Sequence, residues 1–375
     1  MSWRFPRFTP GAPVPWDQLQ KRFDWLSDMQ GVVQNPLWHA EGDVLVHTQM
    51  VVQALLEAPG FVDLPTETQH VLFATALLHD CEKRSCTRRE IIDGQEIITS
   101  TGHARRGAHT TRGVLYRDIS TPFALREQMV QLVRLHSLPI WAIEKPDPNL
   151  AVIRASVQVR TDWLSRFARA DVEGRVCDDQ NEMRTRVQLF EELCQENQCF
   201  GPARVFPSAL GRFQYFQRGN NGPDYIPFDD RKFDVVMLSG LPGSGKDTYL
   251  RRQLDLPVLS LDDLRRQHKI APTDKKGNGQ IIQMAREKAR VFMRKKQSFV
   301  FNATNITRSM RELWISLFTA YGGRVKIVYL EVPYRTLLRQ NQNRAYPIPV
   351  KVLENMIDKL DVPTLDEAQA VEWIV

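Results

Sequence analysis

The chain has few cysteines and no long apolar run. Only five of its 375 residues are cysteine, and their spacing forms neither an even disulfide framework nor a zinc motif. No apolar stretch approaches the roughly 20 residues of a membrane-spanning helix, and the first residues lack the basic-then-apolar pattern of a signal peptide. These absences argue against a disulfide-stabilised scaffold and an integral membrane protein, so we expect reduced thiols and a cytoplasmic location.

Acidic residues are scarce in one part of the chain. From residue 231 onward, 25 Lys and Arg stand against 15 Asp and Glu, whereas residues 1–230 hold 25 against 29. A local excess of positive charge suits a polyanion such as nucleic acid, and it equally suits a merely soluble basic face. The length allows two or three domains, each with its own core.

A glycine-rich segment in the basic part carries the clearest chemical signal. It reads GLPGSGKDT and lies between a predicted buried strand (234–239) and a predicted helix over 247–254. Glycines at this spacing let backbone N–H groups converge on phosphates, and the lysine reaches the β- and γ-phosphates. The residues expected to hold ATP are Gly240, Gly243, Ser244, Gly245, Lys246, Asp247 and Thr248.

One position departs from this phosphate-loop pattern. The residue after Lys246 is usually Ser or Thr, whose hydroxyl holds Mg²⁺, but here it is Asp247. A carboxylate beside phosphates repels them unless a divalent ion lies between, so we expect a metal-dependent site. Either Asp247 ligates the ion or the hydroxyl of Thr248 takes the usual place.

Apolar strands alternate with amphipathic helices after residue 231, which predicts an α/β domain with a parallel sheet covered on both faces. The predicted strands are 234–239, 257–260, 298–302 and 324–330, and the predicted helices are 280–296, 308–321, 333–343 and 349–360. In such sheets the ligand lies at the carboxyl ends of the strands. Asp262 follows the second strand and is placed to accept the proton of an attacking hydroxyl, although a helix N-cap is the alternative role.

The motifs of this part resemble those of 5′-hydroxyl polynucleotide kinases of the phage and bacterial RNA-repair kind. The matching pieces are GLPGSGKD, LDDLRR, NATN and RQNQNRAYPIPVKVLENM, which cover most of 234–360. The resemblance implies a phosphate-binding role for Lys246 and a general-base role for Asp262. It also implies a lid arginine that closes over the nucleotide at Arg344, with Arg339 on the same lid turn.

The resemblance further implies an acceptor site beside the nucleotide. Arg265 matches a residue near a phosphate of the acceptor, and Asn305, in the NATN piece, is expected to bind substrate. Asn302 departs from the family, which often has Asp there, and this removes one possible contact near the metal.

Several helices of the first 200 residues end on His or Asp. The apolar helices predicted at 44–56, 68–78, 124–135 and 153–170 carry or lead into His47, His79, Asp80, His136 and Asp171. A rigid helix end aims an imidazole, and mixed His and Asp ligands suit Mn²⁺, Fe, Ni²⁺, Co²⁺ or Zn²⁺. Such an ion polarises a phosphoryl oxygen and lowers the pKa of a bound water.

This ordered set resembles the HD phosphohydrolase superfamily. The pieces HAEGDVLVHT and LLHDCEK are particularly similar to the HD module of bacterial CCA-adding enzymes, and the resemblance spans roughly residues 35–175. It implies four metal ligands, which are His47, His79, Asp80 and Asp171.

The same resemblance assigns roles to three further residues. Lys83 matches a basic residue that touches phosphate, and His103 and His136 match histidines that hold substrate or a second metal. His109 is the alternative to His103, and Asp162 is the alternative to the last metal ligand.

Residues 201–230 separate these two parts. Pro, Gly and Asn mark the segment as non-helical, yet it is rich in aromatic side chains. Phe213, Tyr215 and Phe216 either pack the segment against a domain or, with Arg212 and Arg218, stack on nucleic-acid bases. We therefore predict an α-helical HD-type domain at 1–200, an aromatic-rich connector at 201–230 and an α/β phosphate-loop kinase domain at 231–375.

Together the two motif sets resemble the bifunctional HD-domain polynucleotide kinases. The resemblance implies ATP- and Mg²⁺-dependent phosphorylation of 5′-hydroxyl RNA or DNA ends, and metal-dependent removal of 2′,3′-cyclic phosphate or 2′-phosphate from the opposite ends. The expected partners are nucleic-acid ends and a ligase, with no membrane. Three alternatives remain: a kinase of a small hydroxyl substrate fused to a nucleotidase, a nucleic-acid sensor whose HD pocket is not catalytic, and an ATPase component that works with a separate ligase.

Overall fold

A computed structural model describes residues 2–218, 221–253 and 255–375. The predicted end of the helix after the phosphate loop, Leu254, lies outside these residues. The chain divides into two compact units, Met1–Arg204 and Val205–Val375. No helix in the described ranges is long and apolar enough to cross a membrane, and all five cysteines are free thiols.

The first unit is mainly helical. Its α-helices are α1 (Trp16–Arg22), α2 (Asp24–Ser27), α3 (Val44–Glu57), α4 (Thr66–Leu78), α5 (Lys83–Cys86), α6 (His103–Gly113), α7 (Phe123–Leu135), α8 (Leu138–Trp141), α9 (Pro148–Ser156), α10 (Thr161–Glu173) and α11 (Gln180–Glu196). A β-hairpin is formed by β1 (Arg88–Ile92) and β2 (Gln95–Thr99), a π-helical turn spans Val114–Asp118, and a 3-10 turn spans Ala142–Glu144.

Helix α4 is the centre of this unit. It is buried continuously from Gln69 to Leu78, and α3, α7 and α10 pack against it. A helix that is apolar all round needs neighbours on every side. The residues at its carboxyl end, His79 and Asp80, are therefore surrounded by the helices that carry the other predicted ligands.

Two features of the first unit differ from the sequence prediction. The single helix predicted over 153–170 is two helices, α9 and α10, because the break between them receives the segment that follows α11. In that break the hydroxyl of Thr161 donates to the carbonyl of Cys199 at 2.5 Å and accepts from the backbone N–H of Gly201 at 2.8 Å. The β1–β2 hairpin has no counterpart in the prediction.

The second unit is an α/β domain. Its helices are α12 (Ala209–Arg218), α13 (Lys246–Gln253), α14 (Leu261–His268), α15 (Lys275–Arg294), α16 (Arg308–Ala320), α17 (Tyr334–Gln342) and α18 (Val350–Ile357), and its strands are β3 (Phe233–Ser239), β4 (Val258–Ser260), β5 (Phe299–Asn302), β6 (Gly323–Leu330) and β7 (Ala370–Ile374). The strands form one sheet in the order β4-β5-β3-β6-β7, and every neighbouring pair is parallel.

The predicted parallel sheet is confirmed, with one strand more than predicted. All four predicted strands are present, and β3, which leads into the glycine-rich loop, lies at the centre of the sheet. The additional strand, β7, is short and lies at an edge. It carries Glu372, whose carboxylate pairs with Lys326 Nζ at 2.6 Å, and a charge in so short a segment hides the apolar alternation of a strand.

The segment predicted as a non-helical connector contains helix α12. Phe213, Tyr215 and Phe216 on this helix are buried, and Phe213 belongs to the apolar core beneath the sheet. Gly211 is compatible with the helix because its missing side chain leaves room for the carbonyl of Tyr225, which would lie 2.6 Å from a Cβ. Of the two roles open to these aromatics, the structure supports packing.

Candidate active sites

The first candidate site lies where the ends of several helices meet in the first unit. His47 lies on α3, whose N-cap Asp43 accepts from the N–H of Val46 at 2.9 Å. His79 and Asp80 follow α4, and Asp171 lies on α10. All four predicted metal ligands are buried, with at most 2% of each exposed. The packing of α3 and α10 against α4 therefore brings these side chains together.

The distances within the cluster are short. His47 Nε2 lies 3.2 Å from Asp171 Oδ1 and 3.7 Å from Asp80 Oδ2, and His79 Nε2 lies 3.2 Å from the same Asp80 oxygen. Asp162, the alternative to Asp171, pairs instead with Arg160 at 2.6 Å. The fourth residue of the set is therefore Asp171.

Asp80 also reaches a second group of histidines. Its Oδ1 lies 3.3 Å from Nε2 of His103 and 4.0 Å from Nε2 of His136. The two imidazole Nε2 atoms are 3.3 Å apart. Of the two alternatives on α6, it is thus His103 rather than His109 that meets this group. Asp80 lies between two sets of nitrogen ligands.

The hydrogen bonds of the histidines fix which ring nitrogen carries the proton. Nδ1 of His79, His103 and His136 lies 2.8 Å from the backbone carbonyl oxygen three residues earlier in each case. A carbonyl oxygen only accepts, so Nδ1 carries the hydrogen and Nε2 presents a lone pair. Burial lowers the pKa of His103, and burial together with His103 lowers the pKa of His136 to about 3. Both rings are therefore neutral at neutral pH.

Around Asp80, the Nε2 lone pairs of His79, His103 and His136 thus face carboxylate oxygens with no proton between them. His79 Nε2 and Asp80 Oδ1 are buried and have no hydrogen-bond partner among the described residues. Asp80 belongs to two groups of candidate ligands, one with His47 and His79 and the other with His103 and His136. Within each group the candidate ligand atoms all lie within 4.8 Å of one another. Convergent acceptors in a buried site repel unless a cation lies between them. The nitrogen and oxygen donors suit a divalent ion such as Mn²⁺, Ni²⁺, Co²⁺ or Zn²⁺.

Two cations border this cluster. Lys83 Nζ lies 2.8 Å from Asp80 Oδ2 and donates to Gln34 Oε1 at 2.7 Å, and Arg175 Nη2 donates to Asp171 Oδ2 at 2.6 Å. Burial would raise the pKa of both aspartates, but Lys83 and Arg175 outweigh it and hold each pKa well below its usual range. The carboxylates are ionised, and positive groups lie beside them.

Three residues of this site, His39, Glu41 and Arg175, were not predicted from the sequence. Glu41 Oε1 lies 2.8 Å from Nδ1 of both His39 and His47, and Arg175 binds Asp171 as described above. Burial lowers the pKa of His47, but hydrogen bonds to Asp171 and Glu41 outweigh it and raise the pKa overall. Arg175 follows Asp171 by one helical turn, a spacing that could have indicated the pair. Glu41 and His39 lie within the piece HAEGDVLVHT, which matched as a whole without a role for either residue.

The second candidate site is the glycine-rich loop between β3 and α13. Gly240 has a φ of 146°, and a Cβ there would lie 2.4 Å from the carbonyl oxygen of Leu330 on the neighbouring strand. Gly245 has a φ of 96°, and a Cβ there would meet nothing within 4 Å. The first glycine allows close packing against the sheet, and the second borders open space in front of helix α13. An anion can approach the helix N-terminus from that side.

Lys246, the first residue of α13, folds back onto this loop. Its Nζ donates to the carbonyl oxygens of Gly240 and Leu241, both at 2.8 Å. Burial, assisted by Arg344, lowers the pKa of Lys246 to about 8, although Asp247 and Asp262 oppose the shift. Lys246 therefore bonds to the inner face of the loop and lies within electrostatic range of Asp262 and Arg344.

Two further donors in this site lack an acceptor. The hydroxyl of Ser244 and Nη1 of Arg344 are buried and have no hydrogen-bond partner among the described residues. Unpaired buried donors are costly and call for an acceptor. Together with Lys246 they fit the phosphates of a nucleotide, and ATP with Mg²⁺ fits a site of this kind.

Asp262 lies at the start of α14, but it is not the helix cap. The cap is Ser260, whose Oγ accepts from the backbone N–H of Asp263 at 3.2 Å. Asp262 accepts instead from Nη1 of Arg265 at 2.5 Å, and Nε of Arg265 donates to Asn278 at 2.8 Å. The N-cap alternative is therefore wrong, and the carboxylate of Asp262 remains 58% exposed.

The remaining predicted residues surround the loop unequally. Arg344 follows α17, whose residue Asn341 approaches the loop so closely that a Cβ at Gly243 would lie 3.3 Å from its backbone nitrogen. Arg339 is exposed on the last turn of the same helix. Of the two arginines, Arg344 is therefore the one whose buried N–H donor lies beside the loop.

Asn305 has a structural role in this geometry. It is buried with a φ of 45°, and its Nδ2 donates to the carbonyl of Leu238 at 2.7 Å. The hydroxyl of Ser239 donates to its carbonyl at 3.0 Å. The side-chain amide bonds the segment after β5 to strand β3, so the geometry gives no support to the predicted substrate contact.

Comparison with known proteins bears on the second unit. A protein-family model described as an AAA domain, AAA_33, matches residues 235–363. The chain is similar to L-seryl-tRNA(Sec) kinase of Methanococcus maripaludis, with 25% identity over 142 residues that cover 34% of this chain and 53% of the relative. The chain therefore spans about half the length of this curated relative. A solved structure described as a kinase from Chloroflexus aurantiacus shares 16% identity over 39% of this chain and 86% of its own, with a TM-score of 0.32. The second unit therefore carries a P-loop domain of the kind that this family model describes.

Proposed function

We propose that this protein repairs the ends of broken nucleic acid strands, with one reaction in each unit. The second unit phosphorylates 5′-hydroxyl ends with ATP, and the first removes a 2′,3′-cyclic phosphate or a 2′-phosphate from the other end, which leaves ends that a ligase can join. The observation that carries the proposal is the pair of phosphate-suited sites. One has unpaired donors beside Lys246, and the other has convergent imidazole and carboxylate lone pairs around Asp80.

In the kinase reaction, Lys246 exchanges the loop carbonyls for the β- and γ-phosphates of ATP. Asp262 accepts the proton of the 5′-hydroxyl. At the same time the hydroxyl oxygen bonds to the γ-phosphorus, and the bond from that phosphorus to the departing ADP breaks. Arg344 neutralises the charge on the transferring phosphoryl group. Arg265, which donates to Asp262, contacts a phosphate of the acceptor in this proposal. A Mg²⁺ ion held beside the loop by Asp247 or by the hydroxyl of Thr248 would supply neutralisation of the phosphate charge.

In the hydrolase reaction, the residues of the buried cluster bind and orient the phosphate end. A divalent ion held by His47, His79, Asp80 and Asp171 supplies Lewis acidity toward a phosphoryl oxygen and lowers the pKa of water. Lys83 and Arg175 place positive charge beside the two carboxylates, where phosphate oxygens bind. His103 and His136 are neutral, and their Nε2 lone pairs either bind a second divalent ion or accept hydrogen bonds from water or a ribose hydroxyl.

Three observations favour a nucleic-acid substrate. Lys and Arg outnumber Asp and Glu in residues 231–375, and a basic surface attracts a phosphate backbone. The curated relative is by its name a kinase of a seryl group carried on tRNA. In the first unit, Trp38 directly precedes His39 and is 46% exposed, which suits stacking on a terminal base.

A kinase of a small hydroxyl compound, fused to a nucleotidase, is the second candidate. The family match over residues 235–363 covers the phosphate-loop domain alone. The loop, the lysine and the carboxylate of such a domain serve small acceptors as well as polymeric ones.

One RNA tests both proposed activities. It carries a 5′-hydroxyl and a 2′,3′-cyclic phosphate, and its end groups are analysed after incubation with ATP and Mn²⁺ or Ni²⁺. We expect the wild type to convert both ends, Lys246→Ala to convert only the cyclic phosphate, and Asp80→Ala to phosphorylate only the 5′ end. Labelling of a free nucleoside but not of the oligonucleotide would favour the small-substrate kinase, and ATP hydrolysis unaffected by Asp262→Ala would favour an ATPase.

A further inference from the structure

In the kinase site, a carboxylate and a neutral side chain each occupy the position where the other is usual. In P-loop nucleotide-binding proteins, Mg²⁺ is held by the hydroxyl of the Ser or Thr after the loop lysine and by an Asp on a neighbouring strand. In this chain the carboxylate, Asp247, is at the first position, and a neutral side chain, Asn302, ends the neighbouring strand β5. The site keeps one carboxylate and one neutral oxygen ligand but places each where the other is usual.

The structure joins these two positions directly. Strand β5 pairs with β3 in parallel, and Asn302 is the register partner of Leu238, two residues before the loop begins. Nδ2 of Asn302 donates to Oδ1 of Asp247 at 3.3 Å. The N–H of Gly240 donates to the carbonyl of Thr304 at 2.9 Å and holds the segment after β5 against the loop. The two side chains therefore share one site in front of α13.

We propose that Asp247 is the carboxylate ligand of the nucleotide's Mg²⁺ ion, positioned by Asn302, and that its charge makes nucleotide binding strictly dependent on the ion. The inference rests on the proposed kinase function. Asp247 is the second residue of α13 and flanks the phosphates that Lys246 binds. Because a carboxylate repels the nucleotide's phosphates, binding without a divalent ion is disfavoured, whereas a bound ion turns the same charge into an attraction.

Thr248 is a weaker candidate for the usual hydroxyl. Successive residues of an α-helix are rotated by about 100°, so Thr248 does not share the direction of Asp247. It is the carboxylate of Asp247, one position earlier, that contacts the end of the neighbouring strand.

An exchange of side chains tests the inference through binding rather than activity. The dissociation constant of ATP is measured calorimetrically in excess Mg²⁺ and in EDTA, for wild type, Asp247→Ser, Asn302→Asp and the double variant. The ratio of interest is the dissociation constant in EDTA divided by that in Mg²⁺. We expect Asp247→Ser to reduce this ratio about tenfold or more, mainly through tighter binding in EDTA. Asn302→Asp alone places two carboxylates in contact and increases the ratio, and the double variant returns it to within about threefold of wild type.

Three controls keep the result interpretable. Asp247→Asn removes the charge at constant shape and should act as Asp247→Ser does. Asp263→Asn removes an exposed carboxylate that pairs with Arg266 on α14, and it should leave the ratio unchanged. Thr248→Ala should also leave it unchanged.

The outcomes separate this inference from the proposed function. If ATP binds and 5′ ends are phosphorylated, but both Asp247 variants keep the wild-type ratio, the inference is overturned and the kinase stands. A collapse of Mg²⁺-dependent affinity in Thr248→Ala alone would assign the ion to Thr248 and overturn it as well. If the wild type binds no ATP in either condition, the kinase proposal and this inference both fall.

Discussion

The Nε2 atoms of His103 and His136 lie 3.3 Å apart, and each ring has its Nδ1 hydrogen bound to a backbone carbonyl. Two lone pairs therefore point at each other beside Asp80. This arrangement costs stability without a cation and gains stability with one.

We expect divalent ions to raise the melting temperature and EDTA to lower it. An ion at 100 times its dissociation constant adds about 2.7 kcal/mol to the free energy of unfolding. His136→Asn should weaken this ion-induced stabilisation, and in EDTA it should cost little because it removes a repulsive lone pair. His109→Asn, on the same helix as His103, is the matched control and should keep the full shift. Thermal melts with and without Mn²⁺ check this, and a wild type indifferent to ions would contradict it.

Glu41 contacts the predicted metal ligand His47 at Nδ1, the ring nitrogen that faces away from Asp80 and Asp171. Its Oε1 lies 2.8 Å from Nδ1 of His47, and such outer partners typically contribute 10- to 100-fold in metal affinity. We expect Glu41→Gln to weaken ion binding by about that factor, as measured by competition with a chelating dye. Glu191→Gln is the control, because Glu191 pairs with Arg169 at 2.6 Å and not with a ligand. Equal affinities in the two variants would refute the role of Glu41.

Nucleotide affinity should depend on pH through Lys246. Burial lowers the pKa of Lys246 to about 8, and phosphate favours the protonated amine, so nucleotide binding raises that pKa again. The ammonium is present below pH 8 and is lost as the pH rises above it. We therefore expect ATP affinity to be constant below about pH 8 and to fall by up to tenfold per pH unit above it.

Lys246→Arg separates this titration from other effects. Arginine stays protonated throughout the range, so the variant should bind ATP with an affinity that does not fall between pH 8 and 9.5. Fluorescence titration with a labelled nucleotide measures both proteins. If ATP affinity fell equally with pH in wild type and in Lys246→Arg, the titrating group would be a residue other than Lys246.

A buried ion pair ties the segment before β7 to helix α16. Nε and Nη2 of Arg311 donate to the two carboxylate oxygens of Glu367 at 2.6 and 2.8 Å, and Nη1 donates to the carbonyls of Asn305 and Asp361 at 3.0 and 2.7 Å. Both side chains are almost fully buried. Removing one partner leaves a buried charge, so Arg311→Met should lower the free energy of unfolding by about 3–5 kcal/mol.

A double variant provides the comparison for this ion pair. Replacing both members, as Arg311→Met with Glu367→Leu, leaves no unpaired charge and should cost less than Arg311→Met alone. Urea denaturation of the three proteins measures the difference. A double variant that is less stable than the single one would contradict this account.

Much of the second unit could be predicted from the sequence. The phosphate loop, its strand and its helix form one local segment, and all four predicted strands are present. Strand β7 was missed because Glu372 interrupts its apolar pattern, and α12 was missed because its flanking Pro, Gly and Asn dominate the segment. In the first unit the helix that precedes His79 and Asp80 was predicted from its apolar run, and the break between α9 and α10 was not, because the chain that fills it comes from beyond α11.

The sequence by itself determined most of the candidate site residues, because backbone periodicity, the glycine spacing and the histidines at helix ends are properties of short segments. Only the tertiary structure decided which of them meet. It selected His103 over His109 and Asp171 over Asp162, and it brought Asn302 to Asp247. Those choices depend on how α3, α7 and α10 pack around α4 and on the order of strands in the sheet. Contacts of that kind join residues far apart in the chain, so no local pattern encodes them.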